Sequence, residues 1–86
     1  MINCRRVILE YAEATIYVID MGHGVIIQAM DKWGARLVQD TTRIKKISQH
    51  VKDMCSISGF DHFTQLVRYL RETGYTVKST QEMIQE

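Results

Sequence analysis

Proline is absent from this chain of 86 residues, and no low-complexity or linker-like stretch divides it. Nothing marks an internal boundary, so residues 1–86 are read as a single compact domain. Cysteine is almost absent too. Cys4 and Cys55 are too few and too far apart to make a disulfide framework, and two thiols suit a reducing compartment. Long apolar runs are missing, since no stretch approaches the ~18 uncharged apolar residues of a spanning helix. Val7 to Leu9 follow the basic pair Arg5-Arg6 but run straight into Glu10, so no signal peptide is read. The expectation is a soluble, cytoplasmic protein with no membrane partner. Net charge is nearly missing as well, at +1, which argues against a dedicated nucleic-acid binder. What remains, 45% apolar and 24% charged residues, is the composition of an ordinary folded domain.

Strand-forming content comes first. Thr15 to Ile19 is β-prone through its branched and aromatic side chains, whereas Ala12-Glu13-Ala14 favours helix. Residues 5–19 are therefore read as extended, either one long bent strand or two strands broken near Glu13. A helix grouping Val7, Tyr11, Ala14 and Val18 is the alternative. Gly22-His23-Gly24 supplies the positive φ values of a tight hairpin loop, with His23 at its solvated tip. Val25 to Met30 is the next strand. Asp31-Lys32-Trp33-Gly34 has the composition of a type I turn, after which Ala35 to Gln39 is predicted to return as a strand.

Helical patterning follows. A helix is predicted from about Thr42 to Ser56, capped by Asp40, Thr41 or Thr42, with Ile44, Ile47, Val51, Met54 and Cys55 as its apolar stripe. Ser58-Gly59-Phe60 breaks it. Asp61 then caps a second helix whose core stripe is Phe63, Leu66, Val67 and Leu70, closed by Gly74 and Tyr75 in a Schellman motif. Tyr75 to Val77 reads as a short strand. Ser79 to Glu82 has capping-box spacing, which predicts a frayed helical turn over the last seven residues. The fold class is α+β, a small antiparallel β-meander of three to four strands followed by two packed α-helices.

Catalytic chemistry is poorly represented. His50 and Cys55 lie five apart on one helix, about 140° around it, and cannot face one another. Cys55 could approach His62 across the Ser58–Phe60 turn, yet it continues the apolar stripe and reads as a core thiol. Cys4, His23, His50, Cys55 and His62 contain no Cys-x-x-Cys and no His pair at helical spacing, so no metal site is read. Gly22-His23-Gly24 lacks the lysine and further glycines of a phosphate loop. No catalytic residue, cofactor or metal is assigned, and the chain is not read as an enzyme.

Charge is unevenly spread. Residues 41–55 hold four cations against one anion, net +3, whereas residues 1–40 and 56–86 are each −1. On the predicted helix Arg43, Lys45 and Lys46 crowd the first turn, where unpaired N–H groups are already positive. Each such cation costs roughly 0.3 kcal/mol unless an anion sits opposite, so the placement points to an acidic contact. Trp33, the only tryptophan, sits in turn chemistry beside Lys32. Its indole is read as folding back over the sheet, with an exposed interface anchor as the alternative.

The favoured function is a non-catalytic protein-binding or regulatory module that docks on an acidic partner surface through Arg43, Lys45, Lys46, Lys52 and Trp33. A weak nucleic-acid binder using helix 42–56 is the runner-up, held back by the lack of interleaved aromatics for base stacking. A structural homo-oligomer built on an exposed sheet edge is the third reading. In size and plainness alone the chain resembles the accessory and inhibitor proteins of phages and mobile elements, and no specific residue carries that resemblance.

Overall fold

β-branched and aromatic residues open the chain, and they pair with one another immediately. The computed structural model describes residues 2–22 and 24–85. It contains β1 (Ile2–Tyr11), β2 (Ala14–Asp20), β3 (Val25–Met30), α1 (Val38–Ser58), α2 (His62–Glu72) and β4 (Thr76–Gln85). The strands form one antiparallel sheet in the order β3-β2-β1-β4. The architecture is thus α+β, a β-meander followed by two helices, with a fourth strand returning to the free edge of β1.

Residues 5–19 are two strands rather than a helix. Ala12 adopts a left-handed φ of 54°, which reverses the chain within two residues and pairs Tyr11 with Ala14. The second hairpin closes through Met21 N–H donating to Gly24 O at 2.9 Å. Gly22 provides the positive φ of 91° that this turn requires, and its N–H donates to Asp20 Oδ1 at 3.0 Å. His23, the predicted tip, lies outside the described residues.

Three expectations fail, each for a local reason. Ala35 to Gln39 is not a strand. Asp31 Oδ1 accepts from the backbone of both Trp33 and Ala35, folding the chain tightly, and only Arg36 bridges back to Met30. The helix then starts at Val38, four residues before Thr42, with Leu37 at the N-cap and no side-chain cap. Thr41, a predicted cap, is engaged elsewhere. Its Oγ1 accepts from Ala29 N–H at 2.9 Å and ties the first turn of α1 to the outer edge of β3. The C-terminal segment is also not helical. β1 offers a long row of unpaired backbone groups, and Thr76–Gln85 pairs along it with a bulge opposite Ile8/Leu9. Ladder hydrogen bonds to a ten-residue strand outweigh one capping box.

Alternation on the strands builds a core on one face only. Val7, Leu9, Ile16, Val18, Ile27 and Ala29 pack against Ile44, Val51, Cys55, Phe63, Leu66 and Leu70. Met54 leaves the predicted stripe and is exposed, while Ser48, one turn after Ile44, is buried in its place. Helix α2 matches its sequence signals. Asp61 accepts from Thr64 N–H at 3.0 Å as the N-cap. At the other end Gly74 N–H donates to Arg71 O and Tyr75 N–H donates to Leu70 O, a complete Schellman motif. No helix among the described residues is long and apolar enough to cross a membrane.

Candidate functional site

A cation on the core face of a strand needs an anion. Arg5 shares the inward register of Val7 and Leu9 and is paired across the ladder with Asp20. Its Nη2 donates to Asp20 Oδ2 at 2.5 Å and to both Asp61 oxygens at 3.1 Å. The guanidinium also lies 4.7 Å from the centre of the Phe63 ring. One arginine therefore joins β1, β2 and the cap of α2. The Thr64 hydroxyl, and next the Arg5 guanidinium, hold the Asp61 carboxyl down at about 2 against an ordinary 3.8. Asp61, with Asp20, in turn raises Arg5 above its usual range.

This node forms one wall of a polar cleft of about 810 Å³. The second hairpin contributes Gly22 and Gly24, and α1 contributes Lys45, Ser48, Gln49 and Lys52. Lys45, Gln49 and Lys52 recur at i, i+4 and i+7, so a single helix stripe carries them to the cleft. Lys46 is exposed on the adjoining surface of the same helix. Among the described residues none of these three lysines has an ion-pair partner within 4.0 Å.

Arg43 is placed differently. It pairs with Asp40 one turn back at 3.2 Å and donates to the Tyr75 hydroxyl at 3.3 Å, so the fold itself occupies it. Because α1 begins at Val38, Arg43, Lys45 and Lys46 sit beyond the first turn, where the helix dipole has faded. The expected clash with the helix N-terminus does not exist. The charge excess of α1 stands, but its electrostatic penalty does not.

Trp33 does not close the core. It is 79% exposed in the connection between β3 and α1, with Lys32 Nζ 4.5 Å from the ring centre. Its fluorescence in the free protein is expected near that of a water-exposed indole and readily quenched by acrylamide. A blue-shifted, protected emission would contradict this placement.

His62 opens α2 and reaches across to α1. Its Nε2 lies 3.0 Å from the Ser48 carbonyl and 3.2 Å from Ser48 Oγ. A carbonyl can only accept, so Nε2 carries the proton and is not free to take one from the hydroxyl. The pair is a helix-to-helix tie and not a serine–histidine dyad. Cys55 is a buried free thiol, and Cys4, also free, has its Sγ 3.8 Å from Met21 Sδ. Among the described residues no three His, Cys, Asp or Glu side chains converge as a metal site would require.

Two surface features were not read from the sequence. Met54, Ile57, Phe60 and Tyr69 line an apolar groove of about 580 Å³ between the two helices, with Ile57 89% exposed. The outer face of the sheet also retains apolar side chains. Consecutive apolar residues such as Ile16-Tyr17-Val18-Ile19 were the available signal, because they leave no polar face. No family model, no curated protein and no solved structure matches the chain.

Proposed function

We propose that this protein is a non-catalytic, cytoplasmic binding module whose docking surface is the lysine-bearing side of α1, and that its partner is an acidic protein surface. The observation that carries the reading is Lys45, Lys46 and Lys52, exposed on one helix and without anions of their own among the described residues. Four other cations are occupied, Arg5 by two aspartates, Arg43 by Asp40, Arg68 by Glu72 and Lys78 by Glu10. The remaining cations without an anion among the described residues, Arg6, Lys32, Arg36 and Arg71, are scattered over other elements and not gathered on one helix. Unpaired charge beside a cleft raises the local potential and steers an oppositely charged partner. Trp33, exposed with Lys32 on its ring, supplies an aromatic anchor in the connection that leads from β3 into the same helix. Arg43 contributes to the fold and not to docking.

The test compares the parent chain with a Lys45→Gln, Lys46→Gln, Lys52→Gln variant in affinity capture from native lysate, with and without nuclease. The variant should fold as the parent does, because none of the three side chains is buried. It should lose the captured acidic protein, whereas nuclease leaves the parent's capture intact. A partner released by nuclease, with log affinity falling by about 0.9 per neutralised phosphate against log salt, would replace the protein surface with a duplex. Equal capture by variant and parent would end both readings.

A further inference from the structure

An antiparallel sheet with one face in water normally alternates to polar residues on that face. Here the face turned away from the helices is polar along β4 but mixed on the other three strands, where a patch of apolar residues stands among Arg6, Glu10, Thr15 and Gln28. Strand pairing sets Ile8 beside Tyr17, and Arg6 beside Ile19 and then Ile26. On the other side of Ile8, Glu10 stands beside Thr15 and then Met30. Ile26 is 52% exposed, Ile8, Tyr17 and Ile19 are half-buried, and both helices lie on the opposite side of the sheet.

We propose that this face is a dimer interface occupied by the same face of a second copy. The two copies are related by a two-fold axis that lies in the interface and crosses β1 at Ile8. Such an axis reverses strand direction and leaves strand order unchanged. The row of Ser79, Ile8, Tyr17 and Gln28 then meets itself. The Arg6 row of one copy meets the Glu10 row of the other, so Arg6 faces Glu10 twice, and Ile26 faces Met30 twice. An axis along β1 would instead stack Arg6 on Arg6 and Glu10 on Glu10. Self-complementarity of this kind is what an isologous contact demands. Among the described residues Arg6 meets the neutral Gln81 and no carboxylate, so it brings an unpaired cation to the contact, where Glu10, already 3.0 Å from Lys78 Nζ, would be shared between the two cations.

The size is adequate. Four strands about 4.8 Å apart, over about seven residues at about 3.4 Å each, present roughly 450 Å² in plan, so two corrugated faces reach the ~1,000 Å² of a specific contact. The dimer would be layered helix, sheet, sheet, helix, with the lysine side of each α1 left free outside.

Sedimentation of the full chain tests this. The parent should be a dimer at micromolar concentration. Arg6→Glu sets glutamate against glutamate, and Glu10→Arg sets arginine against arginine, so each variant alone should weaken association at least about tenfold. An equimolar mixture of the two should recover the dimer, because each contact then joins opposite charges. A monomeric parent, single variants that associate like the parent, or a mixture that stays monomeric would overturn the proposal. Circular dichroism reports whether the variants fold. Should either fail to fold, Ile26→Lys, at an already half-exposed position, must abolish the dimer, and a retained dimer overturns the proposal.

Discussion

A Leu66→Ala chain is expected to unfold with roughly 3 kcal/mol less stability than the parent, the middle of the range for emptying a buried leucine site. Leu66 has no exposed surface and sits in the α2 stripe between Phe63 and Leu70, facing the sheet. Truncation removes three buried carbons and leaves a void, because a sheet clamped by two hairpins and β4 cannot collapse onto it. A chain of this length is stable by about 5–10 kcal/mol in all, so roughly 30–60% of the total disappears. The midpoint of thermal unfolding should drop by roughly 15 °C. Val67→Ala is the internal control. Val67 is only partly buried on the flank of the core, and its truncation should cost about 1 kcal/mol. Urea titration of both variants measures the two values. A Leu66→Ala loss no larger than that of Val67→Ala would mean that α2 is not held by this stripe.

Helix α2 was legible because every determinant of it is local. Asp61, the apolar spacing of Phe63, Leu66 and Leu70, and Gly74 all act within one or two turns, and each does in the fold what its chemistry indicates. The start of α1 was not legible for the opposite reason. Thr41 looks like a cap, yet β3 ends at Met30 with Ala29 N–H lacking a strand partner, and the Thr41 hydroxyl answers that distant need. Once Thr41 is inside the helix, Val38 and Gln39 follow it in. Thr76 and Val77 read as strand from their own residues, but the continuation of that strand to Gln85 is written in β1. The misplaced helix start carried over to the candidate site. Arg43 looked like an unbalanced charge at a helix end, and the structure gives it Asp40 and Tyr75. Lys45 and Lys46 lose the argument from the helix end with it, and together with Lys52 they survive as candidates on net charge and exposure alone, which a shift of the helix start does not alter. Arg5 could have been flagged from its place in the Val7–Leu9 register, since a charge on a core-facing position implies a partner. Which aspartates answer it depends on Asp20 across a hairpin and Asp61 at the far end of a helix. Only the assembled sheet brings those two together.

Arg5→Met is expected to cost about 2 kcal/mol at neutral pH, because it leaves the mostly buried Asp20 carboxylate without its cation. The pH dependence gives the assignment its sign. Asp61 has a lowered value of about 2 in the fold, so the stabilisation linked to it is fully present above the ordinary value of 3.8. It is lost as pH falls from there through about 2. In the Arg5→Met chain, the Thr64 hydroxyl and backbone N–H still hold Asp61 down, but less strongly. The gap between parent and variant should therefore be widest at neutral pH and narrow on acidification through that window. Asp61→Asn separates the charge from the cap. Asparagine caps a helix as well as aspartate does, so Thr64 keeps an acceptor while Arg5 loses one of its two anions. Asp61 is half exposed, so this change should cost less, about 1 kcal/mol. The double variant should be more stable than the sum of the single losses implies, by roughly 0.5 kcal/mol or more, because both changes remove the same contact. Strict additivity, together with parallel acid-unfolding curves for parent and Arg5→Met, would show that Arg5 does not join α2 to the sheet in solution. The cap would then rest on Thr64 alone, and α2 would be held to the sheet beside the cleft by the packing of Phe63, Leu66 and Leu70 without a polar tie.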